Sequence, residues 1–313
     1  MSGSNDGTIN VWDIANPSTP ELINHFKIHD EVKNDSFTPQ MSLIRFSDQI
    51  VVSGGNNGVL TTWDLSNPKN QIKKINSFKA HSSSITCFLK FHENVLISGG
   101  KNGLIQLWDF SNLKDVKLLN SLTEHSAPIL SMIQIKDNII FSWDYAGFIK
   151  IWDFSNYKKT ESILSLQEKA FMSLIQFNDQ ILISGHRSEI ILWNFSYDDT
   201  RITLLAKWNG HSSFVTTLLK LNENIFISGS DDKLIKIWNA LNPLKCECVY
   251  TLEGHSSWVL SLLKINDNII ISGSDKPEEK NVKIWDLCEL IKQPKCIGEM
   301  GGHMGMIWSL VKI

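Results

Sequence analysis

The sequence predicts an all-β protein, a ring of seven four-stranded antiparallel sheets, and three observations support this fold class. A short apolar run ends in Trp followed by Asp or Asn seven times along the 313 residues. Short β-branched segments alternate with turn residues inside the repeats. The two ends of the chain carry complementary parts of a single repeat. The chain is therefore an array of similar units and not a set of unrelated domains.

The tryptophan repeat sets the period of the array. Successive tryptophans of the pairs lie 41 to 51 residues apart, a length typical of a repeating four-stranded unit. The seven pairs are Trp12–Asp13, Trp63–Asp64, Trp108–Asp109, Trp152–Asp153, Trp193–Asn194, Trp238–Asn239 and Trp285–Asp286.

The repeats have the pattern of strands and tight turns. Residues 259–265, 269–274 and 282–286 are rich in Ile, Val and Leu, and Asn, Asp, Gly and Ser separate them. A less apolar fourth segment, such as 248–252, follows each Trp pair. Small sheets with two apolar faces bury both by packing about 10 Å apart around an axis. The sequence therefore predicts a seven-bladed β-propeller.

The chain ends predict how the ring closes. Residues 307–313 have the pattern of a first strand, and residues 2–13 have the pattern of the remainder of a repeat. We therefore expect one propeller domain, 1–313, whose seam blade combines 303–313 with 1–29. Six residues separate Ile265 from Ser272, but only Met1 precedes Ser2, so about five residues of the seam blade's second strand are missing by this alignment. This predicts an incomplete, weakened seam blade, or a chain that is the C-terminal part of a longer protein.

Composition excludes several function classes. The chain has 30 Lys and Arg against 33 Asp and Glu, a formal charge of −3, which argues against broad attraction to nucleic acid or anionic lipid. No apolar run is long enough to span a membrane. The five cysteines are scattered without metal-ligand spacing, which is typical of free thiols in a reducing compartment. We expect a cytoplasmic protein, with the nucleus as the alternative.

The motifs of the repeats, taken together, resemble one known family. Gly210–His211, Gly254–His255 and Gly302–His303 precede first strands, Ser-Gly-Ser ends second strands, and Trp-Asp ends third strands. Because these motifs occur together and in the same order along the repeats, the chain resembles the WD-repeat β-propellers over its whole length. The fifth repeat departs most, because Gln167 stands where His belongs and Ser188 where Asp belongs, so we expect a reduced internal network there.

Recurring His, Ser and Asp also permit a catalytic hypothesis. A hydrolase needs one such constellation, whereas these residues recur from repeat to repeat. The resemblance implies a structural hydrogen-bonded network inside each blade instead, and no catalytic residue, metal or cofactor is expected. The predicted network residues are His211, Ser228, Asp232, Trp238, His303, Ser2, Asp6, Trp12, His255, Ser272, Trp285, His81, Ser98 and Trp108.

Function is then expected on a surface of the ring. The resemblance implies binding on the face that carries the loop before each first strand and the loop between the second and third strands, which we call the upper face. The candidate partner-binding residues are Trp258, Phe214, Met306, Tyr145, Pro39, Lys101 and Arg187. The alternative is ordinary packing of the apolar members and solvation of the charged ones.

A noncatalytic protein-interaction scaffold, or a module that recruits a substrate or partner, is the leading hypothesis. Seven extra residues around 30–36 are expected to place acidic groups beside the apolar patch, which suggests a partner peptide with an apolar anchor and nearby Lys or Arg. We expect membership of a multiprotein complex. One alternative is the recruitment domain of a larger ubiquitin ligase or protein kinase that lacks its upstream part, and a propeller hydrolase is the least favoured.

Overall fold

Seven four-stranded antiparallel sheets form a closed ring, as the repeat predicts. The computed structural model describes residues 1–28, 41–69, 71–157, 159–168, 171–196, 201–276, 280–288 and 294–313. Each sheet is one blade, and we number the blades by the order of their Trp pairs. The fold class inferred from the sequence is confirmed.

The strands follow one another in chain order. Blade 1 contains β1 (Ser2–Ser4), β2 (Thr8–Asp13) and β3 (Glu21–Lys27), and blade 2 contains β4 (Ser42–Arg45), β5 (Ile50–Gly54), β6 (Val59–Asn67) and β7 (Gln71–Lys79). Blade 3 contains β8 (Ile85–His92), β9 (Val95–Gly100), β10 (Ile105–Asp109) and β11 (Lys117–Leu122). Blade 4 contains β12 (Ile129–Lys136), β13 (Ile139–Asp144), β14 (Phe148–Asp153) and β15 (Ser162–Gln167).

The remaining blades repeat this order. Blade 5 contains β16 (Ser173–Gln176), β17 (Ile181–Gly185), β18 (Glu189–Ser196) and β19 (Arg201–Asn209). Blade 6 contains β20 (Val215–Lys220), β21 (Ile225–Ser230), β22 (Ile235–Asn239) and β23 (Glu247–Leu252). Blade 7 contains β24 (Val259–Lys264), β25 (Ile269–Ser274), β26 (Val282–Asp286) and β27 (Lys295–Met300), and β28 (Ile307–Leu310) completes blade 1.

The first strand of every blade lines the centre of the ring. Each contacts the first strands of its two neighbours, so that β28, β4, β8, β12, β16, β20 and β24 form a closed circle. Apolar side chains from facing sheets fill the space between blades; Phe46 and Val52 of blade 2, for example, share one cluster with Leu96, Trp108 and Phe110 of blade 3. The core is therefore distributed over the interfaces between blades.

Blade 1 closes the ring without a peptide link. β1 pairs with β28 through Ser2 opposite Leu310 and Gly3 opposite Ser309. The first strand predicted over 307–313 is shorter in the structure and spans Ile307–Leu310, the segment that pairs with β1. β1 has three residues, whereas the second strands of blades 2 to 7 have five or six. Residue 29, the predicted end of this blade, lies outside the described residues.

Helical structure is minimal in the described part of the chain. One 3-10 turn spans Pro243–Lys245 and is capped by the Asn242 side chain. No helix among the described residues has the length and apolar character of a membrane span.

Candidate interaction face

The best-formed internal network lies in blade 6 and contains all four predicted side chains. The Asp232 carboxylate lies 2.9 Å from His211 Nδ1, which fixes Nδ1 as the donor and leaves Nε2 as an acceptor. The Ser228 hydroxyl then donates to Nε2 over 2.7 Å and accepts a hydrogen bond from Trp238 Nε1 over 2.8 Å. Burial raises the pKa of Asp232, but hydrogen bonds from His211 and backbone N–H groups outweigh it and hold this pKa well below its ordinary value.

Blades 1, 3 and 7 contain variants of the same network. His303, His81 and His255 lie 2.6 to 2.7 Å from Ser2, Ser98 and Ser272, respectively. The tryptophan Nε1 atoms donate to the same serines over 2.8 to 3.1 Å, from Trp12, Trp108 and Trp285. In blade 1 Thr8 lies between His303 Nδ1, at 2.9 Å, and the Asp6 carboxylate, at 2.5 Å. His81 has Asn102 as its second partner, and burial lowers its pKa to about 4.

Two blades use residues that the sequence pattern did not single out. In blade 4 the carboxylate bound to His125 belongs to Asp144, which is completely buried at the end of β13. In blade 5, where Gln167 replaces the expected His, His186 lies 2.9 Å from Ser184 and Trp193 donates to the same serine over 2.7 Å. Asp144 and His186 each lie two residues after the network serine of their blade. A polar residue at that position is the sequence signal that could have identified them.

The network lacks an accessible nucleophile. Ser228 is fully buried, and one face of its hydroxyl oxygen already accepts the Trp238 N–H. The equivalent serines of the other six blades are also fully buried. An Asp–His–Ser chain of this kind has the hydrogen-bond order of a hydrolase triad, but no substrate atom can approach the hydroxyl. Its effect is to tie the first-strand loop to the second and third strands of the same blade.

The upper face is built from a backbone contact that five blades share. The residue after the second strand donates its N–H to the carbonyl of the residue before the first strand, which brings the two loops of a blade together. The pairs are Asn5 with Met306, Lys101 with Ser84, Tyr145 with Pro128, Asp231 with Phe214 and Asp275 with Trp258, at 2.8 to 3.1 Å. Six of the seven predicted partner-binding residues are described, and five of them, all except Arg187, belong to these pairs.

The apolar members of this face differ in exposure. Tyr145 is 48% exposed and Phe214 is 37% exposed, whereas Trp258 and Met306 are half-buried. Arg187 of blade 5 reaches across to blade 6, where its guanidinium carbon lies 5.6 Å from the centre of the Phe214 ring. Pro39 and the acidic insertion at 30–36 lie outside the described residues.

The basic and acidic side chains of the upper face lie on different blades. Lys101 and Arg187 belong to blades 3 and 5, whereas Asp231 and Asp275 occupy equivalent positions on blades 6 and 7. Burial, together with the carboxylates of Asp275 and Asp232, raises the pKa of Asp231 to about 6. Burial also raises the pKa of Asp275. The sequence reasoning missed Asp231, although it follows Ser-Gly-Ser at the position that Lys101 and Tyr145 occupy in their own blades.

Within the described residues, no group of three or more His, Cys, Asp or Glu side chains is arranged to hold a metal ion. The Cys87 thiol is buried, and burial raises its pKa to about 12, so it is protonated near neutral pH.

Comparisons with known families agree with the repeats. A model described as "WD domain, G-beta repeat" matches residues 202–239 and 246–286, which cover the outer strands of blades 5 and 6 and the first three strands of blades 6 and 7. A model described as "IP5P C-F beta-propeller" matches residues 31–152. A search of curated proteins found no match.

Proposed function

Because this chain is a seven-bladed β-propeller with WD repeats, we propose that it is a noncatalytic platform that binds a peptide or protein partner on its upper face. One observation carries the proposal: on two consecutive blades an aromatic residue is held beside an acidic one. Asp231 N–H donates to the Phe214 carbonyl over 2.9 Å, and Asp275 N–H donates to the Trp258 carbonyl over 3.1 Å. We call these four residues the aromatic–acid patch.

The chemistry of the patch suggests the chemistry of the partner. Partly exposed aromatic rings favour an apolar or planar anchor, and interface energy concentrates at such residues. Burial raises the pKa of Asp231, and repulsion from the carboxylates of Asp275 and Asp232 raises it further. A Lys or Arg of the partner relieves this repulsion, so an apolar anchor flanked by a basic residue fits the patch best.

A binding role also suits the fold better than an enzymatic one. The only recurrent Asp–His–Ser chains in the described residues are buried inside blades, where they join loops and strands. The upper face instead presents side chains from separate blades on a rigid ring, which is an arrangement suited to a partner that spans several loops.

Affinity capture from native lysate tests the proposal. The wild-type chain is compared with a Phe214→Asp/Trp258→Asp variant and with a matched Leu118→Asp/Leu204→Asp variant on the outer strands, where both leucines are about half exposed. Circular dichroism establishes that each variant is folded. We expect a reproducible partner that the upper-face variant loses and the outer-strand variant retains. Retention of every captured protein by the folded upper-face variant would contradict the proposal.

A further inference from the structure

Blade 3 contains an asparagine at the position where blades 1 and 6 have the aspartate of the internal network. Asn102, like Asp6 and Asp232, lies four residues after the network serine of its blade. Gly103 follows it, so an Asn-Gly dipeptide forms part of the tight turn between β9 and β10. A glycine has no side chain to shield its backbone nitrogen, and that nitrogen is therefore open to react with the preceding side-chain amide.

Hydrogen bonds fix the orientation of the Asn102 amide. Leu104 N–H donates to Asn102 Oδ1 over 3.3 Å, and Asn102 Nδ2 donates to Ser82 Oγ over 3.0 Å. Because a backbone N–H can only donate, the atom that it contacts must be the amide oxygen. His81 Nδ1 lies 3.2 Å from the same oxygen, so it must carry a proton and donate as well. Two donors therefore converge on the amide carbonyl.

The rest of the blade 3 network holds the imidazole in this tautomer. Burial lowers the pKa of His81 to about 4, so the ring carries a single N–H near neutral pH. The Ser98 hydroxyl accepts the Trp108 N–H over 2.9 Å and donates to His81 Nε2 over 2.7 Å. The remaining N–H is thus at Nδ1, facing Asn102. Gly100 lies directly beneath both groups, because a Cβ there would collide with Asn102 Oδ1 and with His81 Nδ1.

This arrangement has the chemistry of an oxyanion hole. Attack of the Gly103 nitrogen on Asn102 Cγ moves an electron pair of the carbonyl onto Oδ1, where the N–H groups of His81 and Leu104 already point. Donors aimed at a developing charge stabilise the transition state, and reacting atoms in adjacent residues need no association step. The Gly103 N–H must first leave the Gly100 carbonyl, 3.1 Å away, which the conformational freedom of glycine permits.

We propose that Asn102 is a self-modification site, at which the side-chain amide is converted to a carboxylate with water as co-reactant. The Gly103 nitrogen loses its proton to water and bonds to Cγ. The bond from Cγ to Nδ2 then breaks, and Nδ2 takes a proton and leaves as ammonia. Water adds to Cγ of the resulting cyclic imide and breaks its bond to the Gly103 nitrogen, which regains a proton. The net reaction turns an amide and water into a carboxylate and ammonium.

The structure also indicates which product forms. Water can open the imide at Cγ, which gives aspartate, or at the main-chain carbonyl, which gives isoaspartate. Opening at Cγ develops charge on the same oxygen, so the donors from His81 and Leu104 favour aspartate. An aspartate at position 102 gives blade 3 the Asp–His–Ser–Trp chain of blade 6. This inference does not depend on the function proposed for the upper face.

Peptide mass spectrometry of the full chain, incubated near neutral pH, tests the site. The mass gain of amide conversion at Asn102 is followed in the wild type, in His81→Gln and in the matched control His255→Gln, which removes the equivalent histidine of blade 7. We expect His81→Gln to slow the conversion about tenfold and His255→Gln to leave it unchanged. Circular dichroism establishes that each variant is folded. An equal or faster conversion in folded His81→Gln would overturn the proposal.

Two measurements on the wild type keep the test independent of that variant. Asn209, an exposed residue that precedes Gly210, is an internal reference, and Asn102 should convert faster than Asn209. After conversion, nuclear magnetic resonance should find a His81 pKa above that of the unmodified protein and equal to that of Asn102→Asp, because a carboxylate stabilises the imidazolium. An unmodified Asn102 beside a converted Asn209, or a product that is mainly isoaspartate, would contradict the assignment.

Discussion

Arg187 lies over the ring of Phe214, with 5.6 Å between its guanidinium carbon and the ring centre, and so joins the upper loops of blades 5 and 6. A cation–π contact at an exposed site contributes about 0.5–1 kcal/mol. This energy is enough to orient the Phe214 side chain but does not determine the stability of the propeller. The contact holds Phe214 partly exposed beside Asp231, in the position that a partner's anchor would contact.

Phe214→Ala tests whether this ring is an anchor for the partner. A central aromatic residue of an interface contributes about 2 kcal/mol or more, so affinity should fall by at least roughly tenfold. The affinity of the captured partner is measured by calorimetry, with Leu204→Ala as the matched control on an exposed outer strand. An unchanged affinity for both variants would place the contact elsewhere.

Removal of a network hydroxyl should destabilise the fold. In Ser228→Ala, Trp238 Nε1 loses its acceptor and His211 Nε2 loses its donor inside a buried blade. We expect a cost of about 1–3 kcal/mol in the free energy of unfolding. Chemical denaturation of this variant, compared with Ser47→Ala at an exposed loop position, measures the difference. Similar midpoints for both variants would show that the network has little energetic role.

The buried imidazole of His81 predicts a pH dependence of stability. Burial lowers its pKa to about 4 in the folded state, below the ordinary value of 6.5. The unfolded chain therefore binds more protons between these values, so this histidine's contribution to stability is lost as the pH falls from about 6.5 to 4. Unfolding midpoints across this range should fall less steeply for His81→Gln than for the wild type. If the unfolding midpoints of the two proteins changed in parallel with pH, the pH dependence could not be assigned to His81.

The Asp231→Asn variant distinguishes the effect of this carboxylate on the stability of the fold from its effect on partner binding. Because burial and neighbouring carboxylates raise the folded-state pKa of Asp231 to about 6, its ionised form is unfavourable above that pH. The variant should be more stable than the wild type at pH 7, and this advantage should shrink as the pH falls through 6. It should also bind a basic partner more weakly at pH 7. Increased stability with unchanged binding would remove Asp231 from the interaction site.

Lys233 occupies a backbone conformation that glycine adopts in other blades. Its φ is 74°, close to the values of 73° to 85° at Gly7, Gly58, Gly103 and Gly147 in equivalent turns. A side chain in this region is strained, so Lys233→Gly should increase the free energy of unfolding by about 0.5–1 kcal/mol. Urea denaturation provides the measurement, and a destabilised variant would contradict the expectation.

Periodicity made the ring predictable because seven repeats keep one register of Trp, Ser and turn residues. The network of blade 6 was also evident, since His211, Ser228, Asp232 and Trp238 stand at the family's positions. His186 and Asp144 were missed because they enter the networks of their blades from the end of the second strand, where His186 bonds the Ser184 hydroxyl and the Asp144 carboxylate bonds His125. The sequence pattern identifies equivalent positions in the repeats. A hydrogen bond depends instead on which side chain lies close enough to the network residue it would bind.

The upper face was less predictable for a different reason. Sequence spacing identified which residues lie on the face, but the exposure of each depends on packing against the next blade, as Arg187 shows by covering part of Phe214. The clustering of Asp231 with Asp275 likewise depends on the arrangement of neighbouring blades. The role of these residues in partner binding stays a prediction.

Site-specific photo-crosslinking tests the upper-face account most directly. A benzophenone amino acid replaces Tyr145, which is 48% exposed on the upper face, and in a second chain it replaces Leu118 on the outer strand β11, which is 50% exposed. Each chain is irradiated with the captured partner. We predict a crosslinked product from position 145 and none from position 118. Crosslinking from 118 alone would contradict the upper face as the binding surface.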